Sequence, residues 1–138
     1  MRDKRLTALI VLATIFSLGH TTDHVLRGDL RWPLTADSVA FIIISLTVYT
    51  LIVLGLYFYW KNKVGPGFWA VFASVGTLFG WFAHFSPFTD QPPRYIFASY
   101  ASASAGWLAL LSLSALMLVL VVAAVYASYL WARRLSLR

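Results

Sequence analysis

The sequence predicts an all-α fold: an integral membrane four-helix up-down bundle with both termini on the cytoplasmic side. Three observations predict it. Hydrophobic residues make up 60% of the 138 positions and charged residues only 12%, against about 25% charged in a typical soluble protein. A soluble domain of this size could not hide that much apolar surface. The charges also gather in clusters, separated by apolar runs of roughly 20 residues, the length that crosses a ~30 Å hydrocarbon core as helix. The links between the runs are short and rich in Gly and Pro, which forces neighbouring helices to run antiparallel.

The first segment, about 6–26, opens with "LTALIVLATIFSLG" and closes on the polar "HTTDHVL". The second, 38–60, is "SVAFIIISLTVYTLIVLGLYFYW", with Asp37 placed to cap its N-terminus by accepting from the free amides of the first turn. The third, 67–87, carries Ala73, Gly76, Thr77, Gly80 and His84 at spacings of three and four. Gly76 and Gly80 form a small-xxx-small stripe that lets another helix pack closely. The fourth runs over about 98–132, after the outer link "SPFTDQPPRY". No repeat or long linker divides the chain, so residues 1–138 are expected to form one transmembrane domain.

Orientation follows from the basic residues. Arg2, Lys4, Arg5, Lys61, Lys63, Arg133, Arg134 and Arg138 fall on one side, against Arg27, Arg31 and Arg94 on the other. By the positive-inside rule the links around 27–37 and 86–97 face outward, and the expected location is a bacterial inner or plasma membrane, crossed several times. Dispersed in this way, the basic residues mark topology and form no stripe for nucleic acid. The bilayer is the first partner, and a membrane-protein partner or a second copy of the chain is expected.

With no cysteine in the sequence, disulfides, thiolate metal sites and thiol nucleophiles are excluded. Any metal must be held by imidazole, carboxylate, hydroxyl or backbone. The three histidines, His20, His24 and His84, lie on the outer halves of two segments. At 1.5 Å per residue His20 lies roughly 21 Å from the start of its helix, in the outer third of the hydrocarbon. Ionisable groups at that depth turn toward the bundle interior or a water-filled cavity.

On one face stand Ser17, His20, His24 and Arg27, with Asp23 beside the stripe. If the small face of the third segment packs inward, His84 points to the same pocket. The candidate site is therefore His20, His24, His84 and Asp23, holding a transition metal ion (Zn, Cu or Fe) or a haem. Arg27, Asp90 and Arg94 are candidate ligand or lid contacts. The function expected of such a site is that of a redox or metal-dependent membrane component. The alternatives stay open: unrelated interfacial histidines with Asp23 and Arg27 as an exposed ion pair, a proline-fixed outer turn in place of a lid, and a non-catalytic accessory or assembly subunit docking through Gly76 and Gly80.

The start of the chain adds one more reading. "MRDKR", an apolar run and "SLG" also fit a secretory signal. Cleavage after Gly19 would leave His20 at the N-terminus, a local arrangement that resembles the histidine-brace copper enzymes and implies copper held by the terminal amine and ring, with His84 or His24 as second ligand.

Overall fold

Burial in the chain collects where four long helices meet, and the computed structural model describes residues 3–30 and 32–137. Arg2, Arg31 and Arg138, counted above for topology, lie outside the described residues. Among those residues there are five helices and no strand: α1 (Lys4–Arg27), α2 (Ala36–Trp60), α3 (Pro66–His84), α4 (Pro93–Ala98) and α5 (Ala103–Leu135). The four long ones are each long and apolar enough to cross a membrane. Large apolar side chains such as Ile15, Leu46, Val53, Leu78, Leu108 and Leu118 stand exposed on their outer faces, as suits helices whose surroundings are lipid.

Two sequence expectations need correction. The fourth segment does not begin near 98. Pro92 and Pro93 start a separate short helix, α4, because a proline at the first helical position gives up an amide that has no partner there anyway. A turn over 99–102 follows, and Ser102 then caps α5 by accepting from Ala105 N. The cap of α2 is Thr35, whose hydroxyl accepts from Ser38 N at 3.2 Å. The helix starts earlier than expected, and Asp37 sits inside its first turn, where its charge complements the helix dipole.

The core lies near the end of the bundle that holds Asp3. Leu6 and Ile10 of α1, Ile52 and Tyr59 of α2, Trp69 and Ala70 of α3, and Ala127 of α5 form one buried cluster. The stretch that reads as a signal therefore supplies two core residues. Asp3 clamps this end: its carboxylate caps α1 through Leu6 N at 2.9 Å and accepts from Tyr126 OH at 3.1 Å, while its own N–H donates to Tyr59 OH at 3.0 Å.

Helix α5 is the spine, packing along both α1 and α3 and carrying α4 against its start. The small residues explain how closely it approaches. A Cβ at Gly80 would come within 2.7 Å of Met117 Sδ, and one at Gly76 would touch Leu120. The stripe on α3 thus seats α5 within the chain. At Gly106 a Cβ would meet the Phe97 carbonyl oxygen at 2.8 Å, so α4 lies directly on the α5 backbone. Helix α2 is held more by side chains: Gly55 lies under the Phe68 and Trp69 rings, and Tyr49 reaches α1.

Candidate metal centre

The site begins with how α1 ends. Gly28 takes a left-handed conformation (φ 86°), which glycine adopts without a Cβ clash. Its amide bonds to Val25 O, and that of Asp29 to His24 O, each at 3.0 Å. These paired reversed bonds form a Schellman ending, which satisfies the last carbonyls and folds the chain back over the final turn. Asp29 is thereby delivered beside His24. On the other side α3 ends at His84, and the turns that follow fold back with Ser86 Oγ on Phe82 O at 2.8 Å and Thr89 Oγ1 on Ala83 O.

Three ring nitrogens meet between these two helix ends. His20 Nε2 stands 3.0 Å from His84 Nε2 and 3.1 Å from His24 Nε2. One ligand nitrogen from each ring lies within 4.8 Å of both others. An imidazole nitrogen has one in-plane position, filled either by a proton or by a lone pair. His20 Nε2 therefore cannot make two directed hydrogen bonds at once. Lone pairs converging on a shared cation satisfy all three. Nitrogens around a tetrahedral zinc, each bound at ~2.0–2.1 Å, stand about 3.3–3.4 Å apart, close to the two shorter separations.

The opposite ring nitrogens face acceptors. His24 Nδ1 lies 2.7 Å from Asp29 Oδ2, His84 Nδ1 3.4 Å from the Gln91 carbonyl oxygen, and His20 Nδ1 4.0 Å from Asp23 Oδ2. A proton held on Nδ1 leaves the lone pair on Nε2, and a carboxylate or carbonyl behind the ring fixes its tautomer and strengthens it as a ligand. Arg27 Nη2 also approaches His24 Nδ1 at 3.2 Å. With the proton of Nδ1 given to Asp29, that guanidinium group instead serves the carboxylate, 3.5 Å away.

Behind the rings is a buried charge cluster. The Arg27 side chain has 0% exposure; its Nε donates to Asp23 Oδ2 at 3.0 Å and its Nη1 to Gln91 Oε1 at 3.2 Å. Tyr95 of α4 sits beside it, with the guanidinium carbon 6.0 Å from the ring centroid. Asp23 receives a second hydrogen bond from Tyr100 OH. So Asp23 lies on the Nδ1 side of His20, facing Arg27 and Tyr100, and the group converging as ligands is the three histidines. The rings pack edge to face, with centroids 4.6 Å apart for His20 and His24 and 4.8 Å for His20 and His84. That packing leaves no slot for a macrocycle between His20 and either partner, whereas two axial haem ligands would need the whole ring plane between them.

The first half of α2 closes the flank. The Phe41 ring lies 5.0 Å from that of His24, Tyr49 OH bonds Thr21 Oγ1 at 2.6 Å, and Ser38 Oγ donates to Asp29 O at 2.9 Å. The side chains of Asp90 and Arg94 are exposed and enter none of the hydrogen bonds or ion pairs of this cluster. The segment between α3 and α4 reaches the site through Gln91 instead. Sequence reasoning missed Asp29, Gln91 and Tyr100. Only Asp29 carried a signal, Gly28 one residue past a helix end, which folds the following residue back on the last turn.

Tyr100 gives the site a reading on pH. Desolvation, then the hydrogen bond to Asp23 and its charge, push the phenol up from its ordinary value of 10.0 to about 12. A raised phenol stays protonated in the fold, so its contribution is fully present below the unfolded value and fades as pH rises from about 10 to about 12. Tyrosinate absorbance should include a group titrating near the upper end of that window, and Tyr100→Phe should remove that contribution. An unshifted titration of Tyr100 would mean that the contact with Asp23 is not made in solution.

No family model, curated protein or solved structure matches this chain.

Proposed function

We propose that this chain is a small multi-pass membrane protein that holds a single transition-metal ion on His20, His24 and His84 and acts as a redox or metal-dependent membrane component. The observation that carries the reading is the convergence of the three Nε2 atoms, with each Nδ1 turned toward an acceptor. Zinc, copper and iron all accept neutral imidazole, and the absence of thiolates makes nitrogen the defining donor. A bare ion suits the packed rings better than a haem. Asp23 acts from behind, holding Arg27 and lying near the far side of His20.

The ends of the bundle support a topology for this site. Asp3, Tyr59 and Tyr126 meet at one end, while the histidines, Asp29, Ser38 and Tyr100 meet at the other. These contacts fit an up-down bundle. The distribution of Lys and Arg supports a reading with both termini in the cytoplasm and the histidine end outside, on the periplasmic face if the membrane is a bacterial inner membrane.

The test is direct. The full chain, purified in detergent, is equilibrated with zinc, cuprous or ferrous ion, freed of excess and analysed for metal. One ion per chain is expected for at least one of them. A chain that retains none, and whose unfolding ignores all three ions and haem, would overturn the reading.

A further inference from the structure

Gln91, in the segment between α3 and α4, reaches toward α1, the α1–α2 turn and α3 together. Its Oε1 accepts from Arg27 Nη1 at 3.2 Å and its Nε2 donates to Asp29 Oδ2 at 3.3 Å. Its main-chain carbonyl faces His84 Nδ1 at 3.4 Å. The segment itself is pinned, because Gln91 N–H donates to Thr89 Oγ1 at 3.0 Å and Thr89 in turn bonds Ala83 O on α3.

We infer that Gln91 is a positioning residue of the metal centre, through which ion binding and closure of segment 85–92 over the histidines are coupled. The inference rests on the metal reading above. Its side-chain amide orients Asp29, and Asp29 orients His24. Its carbonyl orients His84. One residue therefore sets two ligands on two different helices. An ion that fixes the rings also fixes the groups Gln91 bonds to, and so holds the segment down. By linkage, the factor by which the ion favours the closed segment equals the factor by which closure favours the ion.

The experiment uses the full chain in detergent, with zinc as probe against a chromophoric chelator and cobalt(II) as spectroscopic reporter. Gln91→Met keeps the length and the main-chain carbonyl but removes the amide. Its zinc affinity is expected to fall by about 10- to 100-fold, the range typical when a group orienting a metal ligand is lost. Its cobalt spectrum should change while helix content stays that of the parent, and the metal-free protein should unfold somewhat more easily, because Arg27 Nη1 loses its acceptor. Arg94, exposed just beyond Gln91, reports the segment: zinc should slow tryptic cleavage there in the parent chain and have much less effect in Gln91→Met. Zinc held equally tightly by both chains, or cleavage at Arg94 indifferent to zinc in the parent, overturns the inference and leaves the metal centre standing. A parent chain that binds neither zinc nor cobalt overturns both.

Discussion

Replacing His20 with alanine is expected to abolish metal retention, taking the chain from one ion to essentially none. His20 Nε2 is the nitrogen within hydrogen-bonding range of both other Nε2 atoms. Its removal leaves His24 and His84, whose ring centroids are 5.7 Å apart, the widest separation of the three pairs. The effect also reads out in stability. An ion that binds only the folded state adds RT ln(1 + [L]/Kd), about 2.7 kcal/mol at a hundredfold excess over Kd. The parent chain should gain roughly that much from zinc or copper and His20→Ala should gain nothing. Unfolding followed with and without metal makes the comparison within each protein, so any fold defect of the variant itself cancels. A His20→Ala protein stabilised by metal as strongly as the parent would show that the ion sits elsewhere.

Arg27→Met carries the largest expected structural cost. The guanidinium is fully enclosed and bonded to Asp23, with Asp29 close by. Removing it leaves two carboxylates near the apolar interior without their cation, and breaking a buried pair from one side costs about 3–5 kcal/mol. Replacing Asp23 with Leu at the same time should recover a large part of that loss, since a well-packed apolar pair can match a buried ion pair. Equilibrium unfolding of the two single variants and the double variant in mixed micelles supplies the cycle. An Arg27→Met protein as stable as the parent would mean that the cluster is solvated, as an exposed pair at i and i+4 would be.

Much of the fold was legible because the bilayer imposes a length that composition reveals directly. The first three helices begin and end within three residues of their expected limits. Where the reading went astray, the cause was local turn chemistry. Pro92 and Pro93 look like a loop, yet proline is well suited to open a helix, and "SYASAS" hides a serine cap inside a stretch of small residues. Gly76 and Gly80 marked a close helix approach, but no pattern in one sequence says which helix fills it. The partner is α5, so the stripe is spent inside the chain.

The site divides in the same way. Periodicity placed His20 and His24 on one face, and depth placed His84 at their level. Contact between them is a tertiary fact, set by α3 lying on α5 and α5 on α1. The groups behind the rings were the least legible. Asp29 lies in a turn, Gln91 in a proline-rich segment and Tyr100 in the bend before α5. Each reaches the site through backbone reversals that leave only a faint trace in sequence, such as Gly28. Asp90 and Arg94, the charged residues that drew attention in the same loop, point away to the surface, while the neutral Gln91 enters the buried cluster. A neutral amide can serve a guanidinium and a carboxylate at once, and costs less to bury than another charge.

The central claim is that three imidazoles share one ion, and X-ray absorption at the edge of the bound metal tests it most directly. On the full chain loaded with zinc or copper in a bilayer disc, three imidazole nitrogens are predicted in the first shell at ~2.0–2.1 Å, with the outer-shell scattering of the rings, and that signal should vanish in His20→Ala. A shell of oxygens without ring scattering, or a spectrum unchanged by His20→Ala, would contradict it.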